Sequence, residues 1–281
     1  MLKLYRSLIN KNKVILFNYK KNSFFEGIYR LLGLTISPLK ILKYLIHKKT
    51  WYEKTRIKNM IKKGIILAGG TGTRMSPITK AVNKQLLPVY DKPLIYYPLS
   101  VLMLSGIRDI LIIVSKGQLN QFKKILPNGN NLGIKISYAE QKHPRGLPDA
   151  FNIGKNFIGK DNVAMILGDN FFYGQSLTKK LKHCVKLNRG ATVILHPVSN
   201  PSSYGIAVIN KKNRIIKIVE KPKKIFSNLA ITGLYFFDNR VVEYSKNLKP
   251  SKRKEVEIVD LLNKYKKNNS LSAEFLGRGG A

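Results

Sequence analysis

The chain has 281 residues, 44% of them hydrophobic, which is enough to bury the core of one large α/β domain or two small ones and excludes a polypeptide disordered throughout. Its one cysteine, Cys184, excludes an internal disulfide and points to a reducing, cytoplasmic setting. The 51 Lys and Arg against 15 Asp and Glu leave a net charge of +36, which attracts polyanions and acidic metabolites. The lysines spread over the whole chain without an arginine-rich or aromatic-interleaved motif, so no specific nucleic-acid partner is expected. His47, His143, His183 and His196 lack the spacing of a metal site and are assigned no chemistry.

Residues 1–61 read as a basic N-terminal extension of unknown role. Apolar clusters such as Phe24-Phe25, Leu31 to Leu34 and Ile41 to Ile46 alternate with basic residues, and Pro38 separates two short helical pieces. Glu26, Arg30, Lys40 and Lys43 interrupt any window long enough to span a membrane, and the signal-peptide pattern is not met. Two readings stand. One is an appendage or a fragment of a neighbouring reading frame; the other is a peripheral contact with an anionic membrane surface.

From Lys63 the texture changes. Ile65 to Ala68 is a continuous apolar run of the kind buried in parallel sheets. Gly69, Gly70 and Gly72, with Thr71 and Thr73 between them, then form a loop able to present backbone N–H groups to an anion. A dinucleotide fingerprint is not supported, because Met75 stands where its third glycine belongs, and a P-loop is excluded because Thr73-Arg74-Met75 replaces Gly-Lys-Ser/Thr. What remains is Gly-Gly-x-Gly-x-Arg, followed by Lys84 and Gln85. Two cations flanking a nest of amides suit a triphosphate, and the Gln85 amide has the donor and acceptor needed to read a base edge.

Downstream, helical spacing over Leu94 to Ser105 stops at Gly106, and Ile110 to Val114 is the next buried strand. Gln118 to Leu126 reads as a helix, Ile134 to Ala139 as a strand, Leu147 to Phe157 as a helix and Val163 to Leu167 as a strand. Alternating strands and helices predict a mostly parallel sheet covered on both faces, with ligands at the carboxyl ends of its strands. On that rim Gly168-Asp169-Asn170 follows its strand. Alone the tripeptide reads as a turn cap; beside a triphosphate loop it suits Mg²⁺, which takes one or two carboxylates and completes its shell with phosphate and water. Beyond Thr192 the predicted elements are strands: Thr192 to Val198, Tyr204 to Ile209 and Ile215 to Val219, ending in Glu220-Lys221. In so charged a chain that pair by itself reads as surface.

The segments LAGGTGTR (67–74) and NKQLLPVYDKPLIYYPLSVLMLSGIRDILII (83–113) resemble the glucose-1-phosphate thymidylyltransferases, a branch of the sugar nucleotidyltransferases, over residues 62–281. The resemblance implies a three-layer α/β/α, Rossmann-like nucleotide-diphosphosugar transferase fold and a homo-oligomer. It implies nucleotidyl transfer from dTTP to α-D-glucose 1-phosphate, giving dTDP-glucose and pyrophosphate for dTDP-deoxysugars of the rhamnose type and surface polysaccharide. It assigns the nucleotide to Leu67, Gly69, Gly70, Gly72, Thr73, Arg74, Gln85, Gln141 and Gly146. The sugar phosphate falls to Asn170, Tyr204, Gly205, Glu220, Lys221, Ile231 and Thr232, Mg²⁺ to Asp169, and catalytic charge to Arg74, Lys84 and Lys221. Within this pattern Glu220 can accept from sugar hydroxyls while Lys221 grips the phosphate.

Two departures from the family are visible. Pro148-Asp149 stands where the family usually has Ala-Gln, and the chain ends at Leu276-Gly-Arg-Gly-Gly-Ala281, where the family continues into Trp-Leu-Asp-Thr-Gly with a second metal-binding aspartate. The nucleotidyltransferase domain, 62–281, is therefore expected to be incomplete at its C-terminus, binding nucleotide but turning over poorly. The alternatives are a sibling enzyme using UTP and a catalytically weak paralogue that only binds nucleotide or polyanions.

Overall fold

The computed structural model describes residues 60–280 except 71, 73, 74, 188, 252–254, 277 and 278. The expectations for the N-terminal extension before Met60, and those for Thr73 and Arg74, lie outside the described residues. Among the described residues nine strands build the main sheet: β1 (Lys63–Ala68), β2 (Asp109–Ser115), β3 (Lys135–Gln141), β4 (Val163–Leu167), β5 (Ala191–Pro197), β6 (Gly205–Ile209), β7 (Ile215–Glu220), β8 (Leu229–Phe237) and β9 (Leu271–Phe275). The helices are α1 (Ile78–Ala81), α2 (Tyr96–Leu104), α3 (Leu119–Ile125), α4 (Asp149–Ile153), α5 (Lys155–Ile158), α6 (Leu177–Cys184), α7 (Val241–Lys246) and α8 (Ile258–Lys267).

The strand order is β7-β6-β8-β4-β1-β2-β3, with β5 also on β8 and β9 on β5. Seven of the nine strands run one way; β7 and β8 are reversed. The expected mostly parallel sheet is therefore present, with a reversed strand in its middle. Continuous apolar runs become two cores because strand side chains alternate faces. Ile66, Ala68, Ile110, Ile112, Ala164 and Ile166 pack on one side with Leu99 and Leu102 of α2, Phe122 of α3 and Leu181 of α6. Ile65, Leu67, Leu111, Ile113, Val163 and Met165 pack on the other with Phe151 of α4, Val241 of α7 and Leu261, Leu262 and Tyr265 of α8. This is the three-layer arrangement that the alternation predicts.

The helix expected over Leu147 to Phe157 is two short ones broken at Gly154. A side chain there would stand 3.0 Å from both the Ala150 carbonyl and Ile65 Cδ1, so the chain turns where it lies against β1. Helices α1, α6, α7 and α8 and strands β8 and β9 were not read from the sequence. In α8 the buried Ile258, Val259, Leu261, Leu262 and Tyr265 do follow the helical period, among the half-buried Asn263, Lys264 and Lys266 and the exposed Asp260 and Lys267. The Asp238 carboxylate, 5% exposed, ties this half together, accepting from Gly190 N–H (2.6 Å), the Tyr265 hydroxyl (2.9 Å) and Arg240 Nε (2.9 Å). Burial, and then this neighbouring carboxylate, push the Tyr265 hydroxyl pKa far up.

Strand β8 changes partner along one edge. Leu234–Phe237 pair with β4, but Ala230 pairs with Ile206 of β6, and the register against β5 shifts between Ile231 and Tyr235. β4 ends at Leu167, so the sheet opens beside its carboxyl end. Gly168-Asp169-Asn170 leave β4 at that opening, with Asn170 Oδ1 2.7 Å from where a Cβ on Gly233 would stand.

Candidate active site

The carboxyl ends of β1, β2 and β3 lie in register, Ala68 beside Val114 and Ser115 beside Gln141. The glycine loop leaves β1 at this rim. Gly70 N–H donates to Ser115 Oγ (3.2 Å), while the Gly72 carbonyl accepts from Met75 N–H (2.9 Å) and Thr79 Oγ1 (2.8 Å). Gly72 has a φ of +58°, and a Cβ there would meet Thr79 Cγ2 at 2.8 Å, so both backbone and space require glycine.

A buried asparagine that the sequence reading passed over fixes the other wall. Asn83 Oδ1 accepts from Gln85 N–H (2.8 Å), and its Nδ2 donates to the Ala68 carbonyl (3.4 Å) and to Gln118 Oε1. The one-turn helix Lys84–Leu86 is thereby fastened to the end of β1. Asn followed two residues later by the N–H it caps is a turn signature that was legible in Asn83-Lys84-Gln85. Lys84 Nζ then lies 2.9 Å from Asp169 Oδ2, each side chain about one-third exposed. Gln85 is 5% exposed, and its Oε1 is buried without a hydrogen-bond partner among the described residues. A buried amide oxygen left unpaired is costly, and a ligand donor removes that cost.

These groups enclose a cleft of about 210 Å³ lined by Gly69, Gly70, Gly72, Lys84, Gln85 and Asp169, together with Met75. Gln141 stands beside it. Its Oε1 is 2.9 Å from where a Cβ on Gly69 would be, and its Nε2 donates to Asp149 Oδ2 (3.1 Å). Leu67 is buried in β1, and its carbonyl accepts from Gly168 N–H (2.9 Å). Gly146 has a contact within the chain: at a φ of +104°, a Cβ would fall 2.1 Å from the Val256 carbonyl oxygen, and Val256 N–H donates to Arg145 O (2.8 Å). Close backbone packing alone thus requires glycine at 146.

The second residue set gathers where β6, β7 and β8 meet. Gly205 faces Glu220 across β6 and β7, and Glu220 Oε2 lies 3.1 Å from where a Cβ on Gly205 would be. Lys221 N–H donates to the Tyr204 carbonyl (2.9 Å), and Lys221 holds a φ of +41°, a strained value for a non-glycine residue of the kind found at ligand clamps. The side chains of Ile231 and Thr232 are committed elsewhere, Ile231 to the core and Thr232 Oγ1 to the Ile194 carbonyl (3.0 Å).

Among the described residues no three His, Cys, Asp or Glu converge as a metal cage. Asp169 fits the other kind of divalent site, one carboxylate at the wall of a cleft whose remaining ligands come from phosphate and water.

The sequence model of the nucleotidyl transferase family matches residues 63–280, starting where β1 starts. A glucose-1-phosphate thymidylyltransferase of Neisseria meningitidis is 57% identical over 217 residues, covering 77% of this chain and 75% of that protein. The chain belongs to the nucleotidyl transferase family and, within it, to the glucose-1-phosphate thymidylyltransferases. The enzyme of that name from Mycobacterium tuberculosis is 48% identical over 219 residues, 78% of this chain and 76% of its own. A Bacillus anthracis crystal structure named for the same activity, in complex with a sucrose, superposes with a TM-score of 0.72 at 39% identity, covering 78% of this chain and 87% of that one. A UDP-glucose pyrophosphorylase complexed with UDP-glucose is more distant, at 29% identity and a TM-score of 0.69 over 79% and 92% of the two chains. Thymidylyltransferases are thus the nearer relatives on both sequence and shape. Among the described residues no helix is long and apolar enough to cross a membrane.

Proposed function

We propose that the protein transfers the thymidylyl group of dTTP to α-D-glucose 1-phosphate, releasing pyrophosphate and forming dTDP-glucose for dTDP-deoxysugar synthesis of the rhamnose type. The observation that carries this reading is the cleft that holds the glycine loop, Lys84, Gln85 and Asp169 on one rim. An oxygen of the sugar phosphate attacks the α-phosphorus in line; the new P–O bond forms as the bond to the β-phosphate oxygen breaks. Such a transfer needs positioning and charge neutralisation more than a general base. The glycine-loop amides and Lys84 neutralise the nucleotide phosphates, and Lys221 steadies the attacking phosphate while Glu220 accepts from sugar hydroxyls. Arg74 is assigned to the leaving pyrophosphate by its place in the motif alone. Asp169 would hold Mg²⁺, which supplies further positive charge to the phosphates.

Thymine presents N3–H between two carbonyls, and the Gln85 amide, whose acceptor has no partner among the described residues and stands beside two donors, is complementary to that edge. Cytosine carries an acceptor at N3 and would face oxygen with a lone pair. Uracil has the same edge as thymine, so a UTP-using sibling is the reading to exclude. Calorimetric titration with the four nucleotides is expected to rank dTTP first, UTP next, and CTP and GTP weaker by about tenfold or more, about 1.4 kcal/mol. A preference for CTP or GTP would sink the assignment.

The enzyme is further proposed to act in the cytoplasm as a homo-oligomer, with residues 1–60 able to touch an anionic membrane. Fourteen basic residues against two acidic ones, beside Phe24, Phe25 and Tyr44, support that contact. Deleting residues 1–60 is expected to leave dTTP binding unchanged and to abolish sedimentation with phosphatidylserine vesicles. Vesicle binding that persists assigns the attraction to the basic enzyme surface instead.

A further inference from the structure

Pro148-Asp149 opens the helix that follows β3 and meets the nucleotide cleft through one side chain. Asp149 opens α4, and its carboxylate accepts from Nε2 of Gln141, the last residue of β3 and 7% exposed. A primary amide can present either its oxygen or its NH₂ to a neighbour, and the two choices recognise opposite chemistry. A glutamine at 149 both donates and accepts, so it would satisfy the Gln141 amide in either orientation. An ionised carboxylate only accepts. It draws the NH₂ of Gln141 to itself and turns Oε1 toward the glycine loop, where that oxygen lies 2.9 Å from the position a Cβ on Gly69 would take.

We propose that Asp149 is a positioning residue for nucleoside recognition: it locks the Gln141 amide so that Oε1 accepts a hydrogen bond from a donor on the bound nucleoside. This rests on the reading of the cleft as a dTTP site. A thymidine nucleotide has two such donors, the ring N3–H and the deoxyribose 3′-hydroxyl, and both offer the same chemistry to an amide oxygen; whichever of them Gln141 takes, the other is left for Gln85 Oε1. Pro148 serves the arrangement at no cost in hydrogen bonding, since it stands at the helix start, where an N–H has no helical partner.

The test is a double-mutant cycle on the full chain with Asp149→Ala, Gln141→Ala and the double variant, read by calorimetry with dTTP, N3-methyl-dTTP, 3′-deoxy-dTTP and inorganic triphosphate. Asp149→Ala is expected to weaken dTTP about tenfold and leave inorganic triphosphate within about twofold. In the Gln141→Ala background the same change should add nothing, because the interaction it supports is already gone. Asp149→Asn keeps the shape but both donates and accepts, so it releases the lock; its dTTP affinity should fall between those of the native chain and Asp149→Ala, and it carries the comparison if the alanine variant is unstable on heating. One modified nucleotide should bind the native chain weakly and be indifferent to Asp149→Ala, which names the donor. Additive losses in the double variant, equal loss of inorganic triphosphate, or native-like binding of both modified nucleotides overturns the proposal. A native chain that binds dTTP no better than inorganic triphosphate overturns the dTTP reading, and this proposal with it.

Discussion

Asp169→Asn is expected to lower pyrophosphate release by about 10²- to 10³-fold, the usual cost of removing one electrostatic contact to a transition state. Asparagine keeps the shape of the side chain that follows the end of β4. What goes is the negative charge. Without it the cleft has no carboxylate among its described lining residues, and a divalent cation loses its protein ligand there. The second readout is dTTP binding with and without Mg²⁺: the gain on adding the metal should shrink markedly in the variant, while its thermal unfolding stays close to that of the native chain. Turnover within about threefold of native, with the same metal gain, would show that Asp169 is not the metal carboxylate.

Lys84→Ala should cost about 10- to 100-fold in turnover, since a charge-assisted hydrogen bond to phosphate contributes about 1.5–3 kcal/mol. The structure adds a second, opposite effect. Lys84 Nζ holds Asp169 Oδ2 at 2.9 Å, so an incoming cation must compete with the ammonium for that carboxylate. Removing the ammonium frees Asp169, and the Mg²⁺ concentration needed for half-maximal nucleotide binding should fall even as turnover drops. Loss of fold is not the cause to look for, because a pair with each partner one-third exposed contributes about 0–1 kcal/mol to stability. An unchanged Mg²⁺ midpoint together with near-native turnover would refute both roles. Lys84→Arg is not a neutral control, since a planar guanidinium does not replace a compact ammonium.

Much of the parallel half was readable because its signals are local. The apolar run before Gly69, the strand at Ile110 to Val114 and the Val163 to Leu167 strand were placed within about two residues, as buried parallel strands show no polar alternation to confuse the eye. Helix α6 was missed because Lys179, Lys180 and Lys182 crowd a stripe of only Leu177, Leu181 and Cys184. Helix α8 was missed under the same lysine-rich surface, and α7 because its six residues bury only Val241 and Ser245, too short a stripe to show a period. The chemistry of the glycine loop, Lys84, Gln85 and Asp169 followed from residue type and order. The supports did not: Asn83, Gln118 and Ser115 are ordinary polar residues until their partners are known.

By itself the sequence determined which strands are buried on both faces, where the backbone must be glycine, and which charges and amides are available to a phosphate and a base. Those properties depend on neighbours a few residues away. The tertiary structure alone decided the pairings. Lys84 meets Asp169 across 85 residues of chain, β8 leaves β4 for β6 beside Gly168, and Gly146 is held by Val256. Gln141 and Asp149 are close in sequence, yet the direction of their amide is set only when β3 and α4 are packed at the same rim. Such contacts are selected by burying both cores at once, a condition on the whole sheet that no window of residues contains.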